Sequence, residues 1–95
     1  MAFIIRYNEE KNELLKVQRG VNFIDVKLSI KMGKVLADIG HPNKNYTNQK
    51  IYVVEIEGYA YAVPYVIDLK KQEIFLKTVY PSRTLTKKYL RGGNK

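Results

Sequence analysis

The residues best suited to chemistry lie where an apolar segment near the end of the chain gives way to a basic one. Residues 73–91 begin as an apolar strand, break at Tyr80-Pro81-Ser82, and continue into a short segment rich in lysine and arginine. Arg83, directly after the strand, could meet two phosphoryl oxygens with its planar guanidinium, which stays charged near neutral pH. The junction at Tyr80–Arg83 is therefore the first candidate site, and phosphate binding is the chemistry it favours.

Cleavage of RNA is a reaction that such a site could support. RNA carries its own nucleophile, the 2′-hydroxyl, so the protein has to orient it, stabilise negative charge on the phosphoryl oxygens and help protons move. We predict that Arg83 stabilises this charge with support from Lys77 and Lys87. His41 or Tyr80 is predicted to handle protons. The predicted RNA-binding residues are Lys44, Tyr46, Lys50, Lys87, Lys88 and Arg91.

Each of these residues also has a purely structural interpretation. The tyrosines of residues 59–69 fit the packing of a strand face better than a platform for stacking bases. His41-Pro42 is typical of a loop turn. Arg83 could pair with an acid or cap backbone carbonyls, and the lysines after it fit a solvated helix face.

Positive charge is concentrated in the last part of the chain. The sequence carries 17 Lys and Arg against 9 Asp and Glu, a formal net charge of +8. Residues 70–95 hold eight basic residues against one acid, Glu73, and so account for +7 of that charge. A site for a polyanion such as nucleic acid would have this distribution, and so would a solvated tail that maintains solubility. Charge alone favours neither interpretation.

Composition excludes several kinds of site. The 95 residues fit one domain, residues 1–95, and 45% of them are hydrophobic, which is enough for a single core. Because the chain has no cysteine, disulfides, zinc ribbons and thiol nucleophiles are excluded. One histidine, scattered acids and the lack of a glycine-rich phosphate loop lead us to expect no metal and no cofactor. No apolar run is long enough for a signal or membrane-spanning segment, so we expect a cytoplasmic protein without membrane contact.

The elements that must position the candidate residues predict an α+β fold. Phe3–Tyr7 predicts a strand, and Asn8 is a suitable N-cap for a helix that ends at Gly20. Helices early in the chain and strands late suggest that the helices cover one face of an antiparallel sheet and leave the other free. The other predicted elements are strands at 35–39, 51–56, 59–69 and 73–80, a loop at 40–45, a tight turn at 57–58 and a short helix at 84–90.

Two features of the pattern leave alternatives open. Residues 24–32 alternate between apolar and polar side chains, which slightly favours a strand, although Asn22 and Gly33 could begin and end a helix there. Pro64 falls within a predicted strand. Because proline has no amide hydrogen, it indicates an edge position, a bulge or an irregular end.

Three stretches of the chain carry a resemblance to a known family. They are Tyr7-Asn8-Glu9-Glu10-Lys11-Asn12, Arg19-Gly20-Val21-Asn22-Phe23, and Tyr80-Pro81-Ser82-Arg83 with the following Thr84-Leu85-Thr86. They resemble the W-D-x-x-K-x, K-H-G-V-x-F and I-S-A-R-x-A-T motifs of the BrnT family of bacterial toxins, in the RelE-like superfamily. Arg19 stands where a histidine is usual. The loop His41–Gln49 takes the place of the family's H-x-E-x-R loop but lacks its acid and arginine.

The resemblance implies a compact fold with two N-terminal helices, a strongly bent antiparallel sheet and a short C-terminal helix, so that residues 23–32 would be helical. It implies a ribonuclease toxin that halts translation and is neutralised by a cognate antitoxin. Of the predicted site residues, Arg83 and His41 match the family's motifs by position. The alternative is a non-catalytic module of the same fold that holds nucleic acid or an acidic protein on its basic surface.

Overall fold

The computed structural model describes residues 4–40 and 49–91, with only the backbone of Arg91. Within these residues, three α-helices and six strands form an α+β fold, which confirms the predicted class. The elements in order are β1 (Ile4–Tyr7), α1 (Glu9–Arg19), α2 (Phe23–Lys31), β2 (Val35–Gly40), β3 (Gln49–Ile56), β4 (Tyr59–Asp68), β5 (Glu73–Leu76), β6 (Tyr80–Pro81), α3 (Arg83–Thr86) and a π-helical turn (Lys87–Arg91).

The strands form one mixed sheet in the order β1-β5-β4-β3-β2, and β6 pairs with β4. The neighbours from β2 to β6 are antiparallel, whereas β1 runs parallel to β5, with Ile4 opposite Glu73. The resemblance implied a fully antiparallel sheet, and this expectation is wrong for the pair β1 and β5. A hairpin joins antiparallel neighbours, but β1 and β5 are connected through most of the fold and are free to run in the same direction.

The first helix begins and ends as its local sequence predicted. The Asn8 side chain accepts a hydrogen bond from the Lys11 amide at 2.8 Å and caps α1. Gly20 takes a left-handed conformation with φ of 71° and donates its amide to the Lys16 carbonyl at 3.2 Å. Glycine adopts this conformation without the steric cost that a Cβ brings, so it ends the helix.

Residues 23–31 form a helix, so the strand suggested by their alternation is wrong and the helix implied by the resemblance is confirmed. Its start is a capping box. The Asn22 side chain accepts from the Ile24 and Asp25 amides, and Asp25 Oδ2 accepts from the Asn22 amide at 3.1 Å. These bonds satisfy backbone donors that the first helical turn leaves free.

Large side chains fill the space between the two N-terminal helices and one face of the sheet. From the helical side come Leu15, Phe23 and Val26, and they pack with a sheet cluster that includes Val63 and Tyr65. Two polar side chains connect these elements. Asn12 Oδ1 in α1 accepts from the Phe23 amide at 2.6 Å, and Ser29 Oγ in α2 donates to the Glu55 carbonyl at 2.9 Å.

The opposite face of the sheet carries small side chains beneath α3. Ala60, Ala62 and Val53 are completely or almost completely buried, and α3 packs on β4. The expectation that this face stays free is therefore wrong over the part that α3 covers. Alanine at these positions lets the helix backbone approach the strand closely.

Pro64 lies inside β4, in the middle of the sheet, opposite Ile51 of β3. The predicted strand 73–80 is interrupted at residues 77–79, between β5 and β6, and Pro64 faces this interruption, where its carbonyl accepts from the Lys77 amide at 2.8 Å. The N–H and C=O groups of a strand residue point to the same side of the strand. The amide hydrogen that Pro64 lacks would therefore point toward residues 77–79, where no regular strand pairing requires a donor. The irregular segment is thus in the neighbouring strand and not in β4.

Candidate nucleic-acid interface

The predicted junction is a rigid corner in which Ser82 connects β6 to α3. The Ser82 amide donates to the Ala60 carbonyl at 3.0 Å and so extends the pairing of β6 with β4 by one bond. Its hydroxyl accepts from the Leu85 amide at 3.1 Å and caps α3. One residue thus ends the strand and begins the helix, and it fixes the backbone from which the next residue, Arg83, projects.

Thr86 holds the other end of α3 against the sheet. Its side chain is 2% exposed, and its hydroxyl accepts from the Ala60 amide at 2.9 Å while donating to the Ser82 carbonyl at 2.8 Å. Both partners are backbone groups, which makes the position of α3 on β4 specific. No local pattern indicates this role for Thr86, because its partner Ala60 is distant along the chain.

Arg83 is exposed and occupies the first position of α3. Within residues 4–40 and 49–91 its guanidinium makes neither a hydrogen bond nor an ion pair, so the internal pairing that would have removed it from a site is not found there. The Lys87 amide bonds to the Arg83 carbonyl, which places the exposed Lys87 one turn further along the same helix face. The two cations are therefore brought together.

Lys77 and Tyr80 lie on the strand edge that leads into α3, and both are exposed. The Lys77 amide bonds to Pro64, and Tyr80 is opposite Ala62. Alternate residues of β4 share a face, so both project from the α3 side of the sheet. We name Lys77, Tyr80, Arg83, Lys87 and Lys88 the basic surface.

Several predicted site residues lie at the limit of what the structure describes. His41, Lys44 and Tyr46 lie outside the described residues, as does the side chain of Arg91. The Lys88 Nζ atom lies 5.4 Å from the centroid of the Tyr89 ring, a cation–π distance. The role of His41 in proton transfer remains a prediction.

Lys50 is separated from the basic surface. It is opposite Tyr65 in the register of β3 and β4, on the face that packs against α1 and α2. Its Nζ lies 3.3 Å from Asp38 Oδ2, and the two side chains are 36% and 38% exposed. An exposed pair of this kind is weak, but it places a carboxylate beside the cation that was predicted to bind RNA.

Asp38 also accepts a hydrogen bond from Tyr65, which sequence analysis treated as a packing residue. The Tyr65 hydroxyl lies 2.6 Å from Asp38 Oδ1, and its ring stacks on Tyr52 with centroids 4.0 Å apart. Burial raises the pKa of Tyr65, and the hydrogen bond to Asp38 raises it further because it requires the protonated hydroxyl. Burial likewise raises the pKa of Tyr52. This cluster is suited to holding the sheet together, and neither tyrosine could act as a base near neutral pH.

A small cavity that no sequence pattern predicted lies on the α1–α2 side of the sheet, next to the strand that leads into the junction. We name it the Arg19 cavity. It has a volume of about 240 Å³ between the α1–α2 turn and the β3–β4 hairpin. Arg19 Nη1 donates to the Val79 carbonyl at 2.7 Å, directly before Tyr80. The main lining residues are Arg19, Gly20, Asp25, Ile56, Glu57 and Tyr61.

The electrostatics of this cavity are mixed, with two carboxylates, one guanidinium and one phenol. The pKa of Tyr61 is raised by burial and then by the negative charge of Glu57, the neighbouring Tyr59 and Asp25. The sequence placed Arg19 and Asp25 at the ends of predicted helices but did not predict that they lie near Glu57. Their proximity to Glu57 depends on how the helices pack on the hairpin.

Neither a metal site nor a membrane span is found in the part of the chain that the structure describes. Its acidic side chains form no group of three or more that could hold a metal ion. Its helices are too short or too polar to cross a bilayer.

Comparison of the chain with the models of known protein families, with curated proteins and with solved structures finds no match.

Proposed function

We propose that this protein is a metal-independent endoribonuclease toxin of a type II toxin–antitoxin pair, and that it binds RNA on the basic surface. The observation that carries the proposal is Arg83. It is exposed, it is unpaired among the described residues, and it projects from a backbone that Ser82 and Thr86 fix to the sheet. A guanidinium held in this way can stabilise negative charge that develops on a scissile phosphate.

Lys77 and Lys87 support Arg83 by adding positive charge on the same side of the sheet. Each phosphate that such cations neutralise releases counterions, so RNA binding is expected to weaken steeply as salt is added. Tyr80 supplies an aromatic ring on which an unpaired base can stack, or a hydroxyl that can donate a proton. A cognate antitoxin would neutralise the protein by covering this surface with an acidic or amphipathic segment.

The test is RNA cleavage by purified protein, with and without EDTA, for the wild type and Arg83→Ala. We expect cleavage that EDTA leaves unchanged and that falls by roughly a hundredfold or more in the variant, as when an oxyanion-stabilising donor is removed. Lys31→Ala is the matched control, because Lys31 is an exposed cation at the end of α2, away from the junction. Expression in cells should arrest growth for the wild type and the control. Cleavage by Arg83→Ala at the wild-type rate would remove Arg83 from the mechanism.

A second candidate, a non-catalytic RNA-binding module, is favoured by the kind of groups that the basic surface contains. The five residues that define this surface are four cations and a tyrosine, and they supply positive charge and an aromatic ring, which are enough for binding RNA. If RNA stays intact while its binding weakens steeply with salt and depends on Arg83, the binding module is the correct function.

A further inference from the structure

We propose that the Arg19 cavity is a guanine-binding subsite that selects the base next to the phosphate held at Arg83. The inference rests on the proposed function, because it supplies the RNA whose base would enter the cavity.

The position of the cavity connects it to the basic surface. Tyr61 lines the cavity and is paired with Pro81 of β6, two residues before Arg83. Arg19 lines it too and donates a hydrogen bond to the Val79 carbonyl, directly before β6. The short strand β6 is thus held by two residues that line the cavity, Tyr61 and Arg19, and it leads into α3. The cavity lies on the α1–α2 side of the sheet and Arg83 on the α3 side, so a nucleotide that uses both crosses the edge of the sheet at β6.

The size of the cavity suits a single base. Pockets that hold drug-sized ligands are typically 300–1,000 Å³. At about 240 Å³ the Arg19 cavity is smaller, and its lining is mostly polar with a few apolar groups such as Ile56. A planar heterocycle with polar edges fits this combination better than an aliphatic chain does.

The polar groups of the cavity match guanine in particular. A carboxylate only accepts hydrogen bonds, and the Watson–Crick edge of guanine presents two adjacent donors, N1–H and the N2 amino group. Adenine and cytosine each place a ring acceptor beside their amino group, and uracil flanks its one ring donor with two carbonyls. The remaining N–H groups of Arg19 can donate to guanine O6 or N7.

Glu57 is the carboxylate best placed for this contact. It makes neither a hydrogen bond nor an ion pair with any described residue, whereas Asp25 already accepts from the Asn22 amide in the capping box. Glu57 also has a positive φ of 53° in the β3–β4 turn, where Asn, Asp or Gly is usual. The two-residue hairpin turn requires this conformation, so it fixes the backbone from which the Glu57 side chain projects.

The test measures nucleoside binding to the whole protein by NMR, using the amide signals of Gly20, Val21, Glu57 and Gly58 as reporters. Guanosine is expected to shift these signals and adenosine is not, while inosine, which lacks the N2 amino group, should bind more weakly than guanosine. Glu57→Gln should weaken guanosine binding on the order of tenfold, since a carboxamide replaces one acceptor by a donor. Glu10→Gln is the matched control, because it makes the same charge change on an exposed turn of α1.

The outcomes separate this inference from the proposed function. Equal binding of guanosine and adenosine, or unchanged guanosine binding in Glu57→Gln, overturns the subsite even if RNA is cleaved in an Arg83-dependent way. Selective guanosine binding that depends on Glu57 supports the subsite even if RNA is not cleaved. Binding of arginine amide at the cavity instead of guanosine would overturn it in favour of a basic segment of a partner protein.

Discussion

The two faces of the sheet are covered in different ways. On one face, α1 and α2 pack through large apolar side chains such as Phe23 and Leu15. On the other, α3 lies on alanines and is held by the hydrogen bonds of Ser82 and Thr86. The first arrangement buries much apolar area and supplies stability. The second arrangement buries little apolar area, but its hydrogen bonds fix the position of α3, so it determines where Arg83 projects. Stability and the phosphate contact proposed for Arg83 should therefore depend on different faces.

The largest effect on stability is expected from Phe23→Ala. Phe23 is fully buried between α2 and the sheet, and its loss should lower the free energy of unfolding by about 3–5 kcal/mol. Urea denaturation measures this change. Phe75→Ala is the control, because Phe75 is 42% exposed and should cost much less. The comparison of the faces fails if the RNA affinity of the fraction that remains folded falls together with stability.

A smaller loss of stability with a larger loss of function is expected from Thr86→Val. The substitution keeps the shape of the side chain but leaves the Ala60 amide without an acceptor, which costs about 1–3 kcal/mol. Because α3 also loses its specific contact with β4, RNA affinity should fall more than in Phe23→Ala. Thermal denaturation and RNA titration measure the two effects. Thr84→Val changes an exposed residue of the same helix and should leave both nearly unchanged.

Alkaline pH provides a third test, directed at the face of the sheet that α1 and α2 cover. The folded pKa of Tyr65 is raised above its unfolded value near 10, so the unfolded chain releases this proton first. Stability contributed by the protonated hydroxyl is fully present below about pH 10 and is lost as pH rises above it. Tyr65→Phe should therefore lose stability less steeply than the wild type above about pH 10. Parallel pH profiles from urea denaturation would contradict the role assigned to the Tyr65–Asp38 hydrogen bond.

The smallest effect is expected from breaking the ion pair that joins β1 to β5. Arg6 Nη1 lies 3.4 Å from Glu73 Oε2, and the Arg6 side chain is 60% exposed. Arg6→Ala should change the free energy of unfolding by less than about 1 kcal/mol. A double-mutant cycle with Glu73→Ala isolates the pair. A larger coupling would mean that the edge of the sheet contributes more than its burial indicates.

Local signals predicted the parts of the fold that neighbouring residues determine. Asn8 and Gly20 bound the first helix as expected, and the turn at Glu57-Gly58 has the positive φ angles that a tight hairpin requires. The pattern failed at residues 23–31, because Ile24 and Leu28 supplied apolar positions to the alternation but are about half exposed on the outer side of the helix. The resemblance supplied the helix that periodicity did not.

Contacts between distant segments account for what the sequence could not show. The parallel pairing of β1 with β5, the bond from Arg19 to Val79 and the burial of Thr86 against Ala60 each join residues far apart in the chain. The candidate site also has one part that local sequence predicts and one part that it does not. The cations at residues 83–88 were predicted from their positions in the sequence, whereas the Arg19 cavity depends on how α1 and α2 pack on the hairpin.

The pairing of β1 with β5 also constrains when the sheet can be completed during synthesis. The strand at residues 4–7 is synthesised before β5, yet it has no pairing partner in the described sheet until residues 73–76 have followed. The helices after it can form at once, but the sheet edge that leads into α3 cannot be complete while the intervening residues are still being made. A nascent chain whose proposed target is translation would therefore be harmless to its own ribosome throughout that interval.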